Sequence, residues 1–139
     1  MKKIIYLTLC CCNVTIAFCQ QPAIFIIPEP VHMIQTTGIY LLPKNIVIGI
    51  ADNTEARYAA GYLQQKLKIA TGYTVKVAER AALVNINFLL NSVIDKSIGN
   101  EGYKLSVTAK NIIIKANKPA GLFYGVQTLL QLLPKEIES

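Results

Sequence analysis

Between Glu101 and Pro134 the chain changes its hydrophobic period once. Apolar and polar residues alternate from Tyr103 to Thr108 and again from Ile112 to Ala116, with Lys110-Asn111 between them. Alternation with a period of two predicts strands, and the short polar break predicts a hairpin. In the first strand Tyr103, Leu105 and Val107 share one side. The second strand, Ile112-Ile113-Ile114, is apolar on both sides, as expected of a central strand covered on both faces or of one covered by a helix. Pro119 then suits a first helical turn, where its missing N–H has no partner to lose, and Pro134 limits how far the helix runs. Leu122, Val126, Leu129, Leu130 and Leu133 fall on one face of that helix. Burying them fully at roughly 1.5 to 3 kcal/mol each contributes on the order of 10 kcal/mol as an upper bound.

A second helix is predicted from Ala56 to Gly72. Ala56, Ala59, Leu63, Leu67 and Ala70 recur at three- and four-residue intervals, and Arg57, Gln64, Gln65, Lys66 and Lys68 fall largely on the other side, toward water. Asp52, with Glu55 three residues on, is placed to cap its start, and Gly72 offers a left-handed stop.

The remaining elements are short and rich in β-branched residues. Ile24 to Ile27 leads into Pro28-Glu29-Pro30 as an extended segment, and Val31 to Gln35 is expected to continue it as an edge strand. Ile39 to Leu42, Asn45 to Ile50, Thr74 to Ala78 and Asn85 to Leu90 are each bounded by turn residues and predict strands. A loop is expected from Asn91 to Asn100. The resulting order of strands, helix, strands, hairpin and helix is not a regular βαβ alternation. It predicts an α+β fold, a mixed β-sheet with two main helices packed on it.

The first 19 residues are excluded from the fold. Lys2-Lys3 followed by an apolar run from Ile4 to Phe18 has the layout of a secretory signal peptide, with Ala17 and Cys19 at the small-residue positions before cleavage. The run is shorter than the roughly 20 residues that a membrane-spanning helix needs. The expected mature domain covers residues 20–139 and is periplasmic or extracellular. Processing as an outer-membrane lipoprotein at Cys19 is the competing reading, and the bulky Phe18 disfavours it.

All four cysteines, Cys10, Cys11, Cys12 and Cys19, lie in this leader. The exported domain is therefore expected to rely on apolar burial, with no disulfide framework or cysteine metal site. With Lys2 and Lys3 removed from the 14 basic residues, twelve remain against eight acidic ones, and the lysines are scattered singly. A nucleic-acid binder would cluster them.

Candidate chemistry is sparse. Glycosidic hydrolysis uses two carboxyl groups at a set separation, yet Glu29, Asp52, Glu55, Glu79, Asp95, Glu101, Glu136 and Glu138 sit at expected turns, caps and termini. His32 is the single histidine, so no zinc site with two imidazoles can form. Ser92, Ser97 and Ser106 lack the pattern of an activated nucleophile. Gly121 and Gly125 form a G-x-x-x-G whose better reading is close approach of the helix to a sheet or neighbouring domain. Tyr103, Phe123 and Tyr124 suggest a sugar-stacking platform, but core packing is the expectation. No catalytic, substrate-binding, cofactor or metal residue is assigned.

The segment Ala120-Gly121-Leu122-Phe123-Tyr124-Gly125-Val126-Gln127-Thr128-Leu129-Leu130-Gln131-Leu132, with the Ile27-Pro28-Glu29-Pro30 opening, Gly38 and the helix from Ala56 to Gly72, resembles the non-catalytic N-terminal domain of family 20 glycoside hydrolases, the β-N-acetylhexosaminidases. The resemblance is specific in the last third and weak from Thr74 to Asn100. It implies an α+β sandwich whose partner is a catalytic (β/α)8 barrel packed against it, beginning where this chain stops. It also implies a substrate-assisted mechanism in which adjacent Asp and Glu residues orient the acetamido group and protonate the leaving oxygen. No such adjacent pair occurs here, so no family catalytic residue carries over. The expectation is an exported fragment, inactive alone. The alternatives are a free-standing glycan- or protein-binding module, or the equivalent domain of an α-glucuronidase or α-N-acetylglucosaminidase.

Overall fold

Alternating side chains and a single covered face dictate the sheet. A computed structural model describes residues 24–51 and 54–134. Strand β1 (Asn45–Ile50) buries Ile46, Ile48 and Ile50, and β3 (Ile86–Leu90) buries Ile86 and Phe88. Strand β5 (Ile112–Ala116) adds Ile112, Ile114 and Ala116 to the same core. Strands β2 (Thr74–Glu79) and β4 (Tyr103–Val107) complete five strands in the order β2-β1-β3-β5-β4. The β1/β2, β1/β3 and β3/β5 pairs are parallel, and only the β4/β5 hairpin is antiparallel. The sheet is mixed, as the sequence predicts. Of the three isoleucines of β5, Ile112 and Ile114 are buried while Ile113 is half-buried, so a helix covers one face and not both.

Helix α1 (Ala56–Thr71) connects β1 to the parallel β2, and helix α2 (Pro119–Leu132) follows β5. Both pack on one face of the sheet and against each other. Leu63, Leu67, Leu122 and Val126 are fully buried against Phe88 and the strand isoleucines. Gly72 ends α1 in a left-handed conformation at φ 68°, its N–H bonded to the Lys68 carbonyl at 3.0 Å. Glu55 stands at the N-cap and makes no side-chain cap hydrogen bond. Asp52 lies outside the described residues, as do the leader, its cysteines, Glu136 and Glu138.

The two glycines of α2 face inward. A Cβ on Gly125 would collide with the side chain of Ile114 and stand 3.3 Å from the Tyr103 ring, and one on Gly121 would collide with the backbone carbonyl of Gly102, just before β4, and meet the Ala116 Cβ at 2.9 Å. Close approach to the sheet is the reason for both.

Two expected strands are absent. Val31 to Gln35 and Ile39 to Leu42 form irregular chain with Val31, Ile34, Ile39 and Leu41 all exposed. Tyr40 and Leu42 do pack against the core, which accounts for the alternation, and the Tyr40 hydroxyl lies 3.5 Å from the Asn85 carbonyl. A strand also needs a free backbone edge. The segment leading into β1 finds none there, because β2 flanks β1 on one side and β3 on the other.

Candidate docking surface

The acids expected at turns and caps are dispersed. Glu29, Glu55 and Glu101 are exposed, and Glu79 pairs with Arg57 between β2 and α1. Asp95 pairs with Lys104 at 2.5 Å and accepts from the Ser97 hydroxyl at 2.6 Å and its N–H at 3.0 Å. The Lys104 bond first, and then those from Ser97, hold the Asp95 carboxyl far below the usual carboxylate range. Its partners account for this carboxylate as a loop anchor. His32, Ser92, Ser97 and Ser106 are exposed. Among the described residues no three His, Cys, Asp or Glu side chains converge as a metal site. A shallow pocket of about 70 Å³, lined by Thr36 to Tyr40 and Val107 to Ala109, holds no titratable side chain other than Tyr40. No helix among the described residues is long and apolar enough to cross a membrane.

The informative surface lies on the outer side of the helices. The core face of α1 is built from Ala56, Ala59, Ala60, Leu63 and Leu67. Diametrically opposite, at helical spacing, run Tyr58, Gly61, Tyr62, Gln65 and Ile69. Water normally meets charge at such positions. Here Tyr58 is 75% exposed and Ile69 70% exposed. Arg57, Lys66 and Lys68 stand to either side of the stripe rather than on it.

Helix α2 continues the pattern. Its fourteen residues include no charged side chain. Phe123 lies between the helices, 6.0 Å from the Tyr58 ring, 5.2 Å from that of Tyr62 and 6.4 Å from that of Tyr124, centroid to centroid. Lys66 extends over Tyr62, with Nζ 5.9 Å from the ring centroid.

Core packing, expected of Tyr103, Phe123 and Tyr124, holds for Tyr103, whose hydroxyl bonds Thr128 beneath α2. Phe123 also packs against the core margin. Tyr124 is instead an exposed outer residue, because the half-turn facing the sheet is taken by Gly121, Leu122, Gly125 and Val126. The three rings form no common platform. Reading the sequence by its charges places the outer side of α1 in water and misses Tyr58 and Ile69, although the missing charge on α2 signals the same surface.

The N-terminal arm reaches this surface at one end. The Gln131 side chain accepts the Ile27 N–H at 2.8 Å and donates to the Ile27 carbonyl at 2.9 Å, as a neighbouring strand would.

The opposite, outward face of the sheet is different in kind. Lys76, Lys104, Ser106 and Lys115 are exposed there, around half-buried Val47, Leu89 and Ile113 of the central strands.

Comparison with known proteins agrees with this architecture. The sequence model of glycosyl hydrolase family 20, domain 2, matches residues 23–139. A β-hexosaminidase of Porphyromonas gingivalis is 26% identical over an alignment of 156 residues that covers all of this chain and 19% of that protein. Among solved structures, the N-acetyl-β-hexosaminidase of Streptomyces plicatus superposes with a TM-score of 0.65 at 38% identity, over 72% of this chain and 19% of its own. The exo-β-N-acetylglucosaminidase of Vibrio harveyi gives 0.64 at 25% identity, over 78% of this chain and 16% of its own. The chain thus spans about a fifth of the length of the relatives it matches. Fold, sequence and extent of match together place it in glycosyl hydrolase family 20, as the domain 2 type of that family.

Proposed function

We propose that this chain is the non-catalytic N-terminal domain of an exported β-N-acetylhexosaminidase. The intact enzyme removes terminal N-acetylhexosamine residues, and its catalytic (β/α)8 barrel packs against this domain and supplies the reacting groups. The observation that carries the reading is the length relation: the match covers all of this chain but only 19% of a β-hexosaminidase. The chemistry is consistent, since the resemblance to family 20 implies an adjacent Asp-Glu pair at the reacting centre and the sequence contains none. Lys2-Lys3 and the apolar run to Phe18 support export.

A chromogenic N-acetylglucosaminide tests the assignment. The purified chain is expected to leave it intact. Turnover at rates of ordinary glycosidases would contradict the non-catalytic role. The exported material is expected to begin near Gln20, and an unprocessed start at Met1 would contradict export through a cleaved leader.

A further inference from the structure

We propose that a second copy of this chain pairs along the free edge of β4, antiparallel and about a two-fold axis at Leu105, so that the two sheets run on as one. The inference rests on the backbone of the sheet and is independent of the activity proposed above.

The hairpin fixes which way each residue of β4 turns its backbone. Thr108 donates its N–H to the Asn111 carbonyl at 3.0 Å, so these two residues form a hydrogen-bonded pair. By the alternation of an antiparallel ladder, Ser106 with Ile113 and Lys104 with Lys115 do the same. The intervening Tyr103, Leu105 and Val107 turn their N–H and C=O groups away from β5. β4 is the last strand of the sheet, and among the described residues no backbone hydrogen bond reaches those groups. The N-terminal arm comes near only the far end of the strand, where Thr36 to Tyr40 and Val107 to Ala109 line the shallow pocket.

Such an edge is a template for pairing unless something blunts it. The opposite edge of the sheet carries a device of that kind. Thr74 spends its N–H on the Lys44 carbonyl, toward β1, so Val75 turns its own carbonyl outward, and there Gln64 of α1 donates to it at 2.8 Å. The Arg57–Glu79 ion pair ties α1 to the end of the same strand. β4 has no comparable cover, and its Ser106 is exposed and its Val107 43% exposed.

The side chains select the occupant and its register. With Leu105 opposite its own copy, Tyr103 faces Val107 on the helix side and Lys104 faces Ser106 on the outward side, so apolar meets apolar and the lysines stay apart. A shift that sets Lys104 against Lys104 places like charges directly opposite, which destabilises a strand pair. A shift the other way carries Tyr103 beyond the end of the partner strand, onto Ala109, and shortens the ladder. The contact is one short strand wide, at the small end of specific interfaces, so the dimer is weak and concentration-dependent.

Sedimentation equilibrium of the purified chain tests the pairing. A monomer–dimer equilibrium is expected, and a chain that stays monomeric up to about 1 mM overturns the proposal. Ser106→Glu should tighten the dimer by at least about twofold, because a carboxylate then faces Lys104 of the other copy, and Ser106→Lys should loosen it by a similar factor. Val107→Pro removes an N–H that points away from β5, so the circular dichroism spectrum should stay that of the parent while the dissociation constant rises about tenfold or more. If Val107→Pro does not fold, the opposite signs of the two Ser106 variants still decide. Ser106→Glu loosening the dimer as Ser106→Lys does would mean that the copies do not meet about Leu105. A dimer indifferent to all three substitutions lies on another surface, and either result rejects the pairing.

Discussion

The side-chain amide of Asn117 holds both backbone groups of Asp95, its Oδ1 accepting the Asp95 N–H at 2.8 Å and its Nδ2 donating to the Asp95 carbonyl at 2.8 Å. The same Oδ1 accepts from Asn91 Nδ2 at 2.7 Å, and the same Nδ2 donates to the Gly99 carbonyl at 2.5 Å. Asn117 directly follows β5 and is buried. One side chain thus satisfies a connection that has no secondary structure of its own, and it ties that connection to the end of the sheet.

Replacing this hub isolates its contribution. Asn117→Ala removes the Asn117 bonds to the Asp95 N–H and the Gly99 carbonyl, leaves the Asp95 carbonyl only the Ile98 N–H at 3.3 Å, and is expected to destabilise the domain by roughly 1–3 kcal/mol. Urea denaturation reads the loss, and hydrogen exchange at the Asp95 amide should accelerate. An unchanged midpoint would show that water replaces the amide at no cost.

The Asp95–Lys104 pair sets a pH dependence with a definite sign. Its bonds to Lys104 and Ser97 hold the folded carboxyl well below its ordinary value of 3.8. The folded state therefore favours the ionised form, and that stabilisation is present above the ordinary value and lost as pH falls below it. Lys104→Met should be less stable than the parent at neutral pH, with the difference shrinking as acid is added below pH 3.8. The effect is small because the pair is solvent-accessible. Thermal melts of both proteins across that range decide it, and a gap that widens in acid contradicts the account.

Gly125 tests how tightly α2 lies on the sheet. Gly125→Val drives a branched side chain into Ile114 and the Tyr103 ring and is expected to destabilise by at least about 1–3 kcal/mol. Calorimetry should show a lower melting temperature. A neutral outcome would mean that α2 can lift from the strand without loss.

Much of the fold is legible along the chain because periodicity reports local burial. The alternation of β4 and β5, the proline-bounded α2 and the three- and four-residue rhythm of α1 all predict the observed elements. The arm from Val31 to Leu42 is the exception. Its Tyr40 and Leu42 are packed inward and its Ile39 and Leu41 point out, a strand rhythm in a segment with no ladder. Side-chain alternation records which residues are buried, whereas strand pairing depends on a free neighbour, which no local pattern encodes.

The outer surface of the two helices divides in the same way. That α2 carries no charge is visible in the letters of the chain, as is the absence of an adjacent Asp-Glu pair. That Tyr58 and Tyr62 stand beside Phe123 is not, because these residues are more than sixty positions apart and meet only when α1 and α2 lie together on one face of the sheet. The sequence by itself determined the elements, the mixed α+β class and the inward faces, since each follows from contacts within a few residues. Only the tertiary structure decided that three strand pairs are parallel, that both helices share a face, and that their outer sides join into one uncharged surface. Those relations depend on which distant segments come to lie side by side, and that is settled by how the whole apolar core packs.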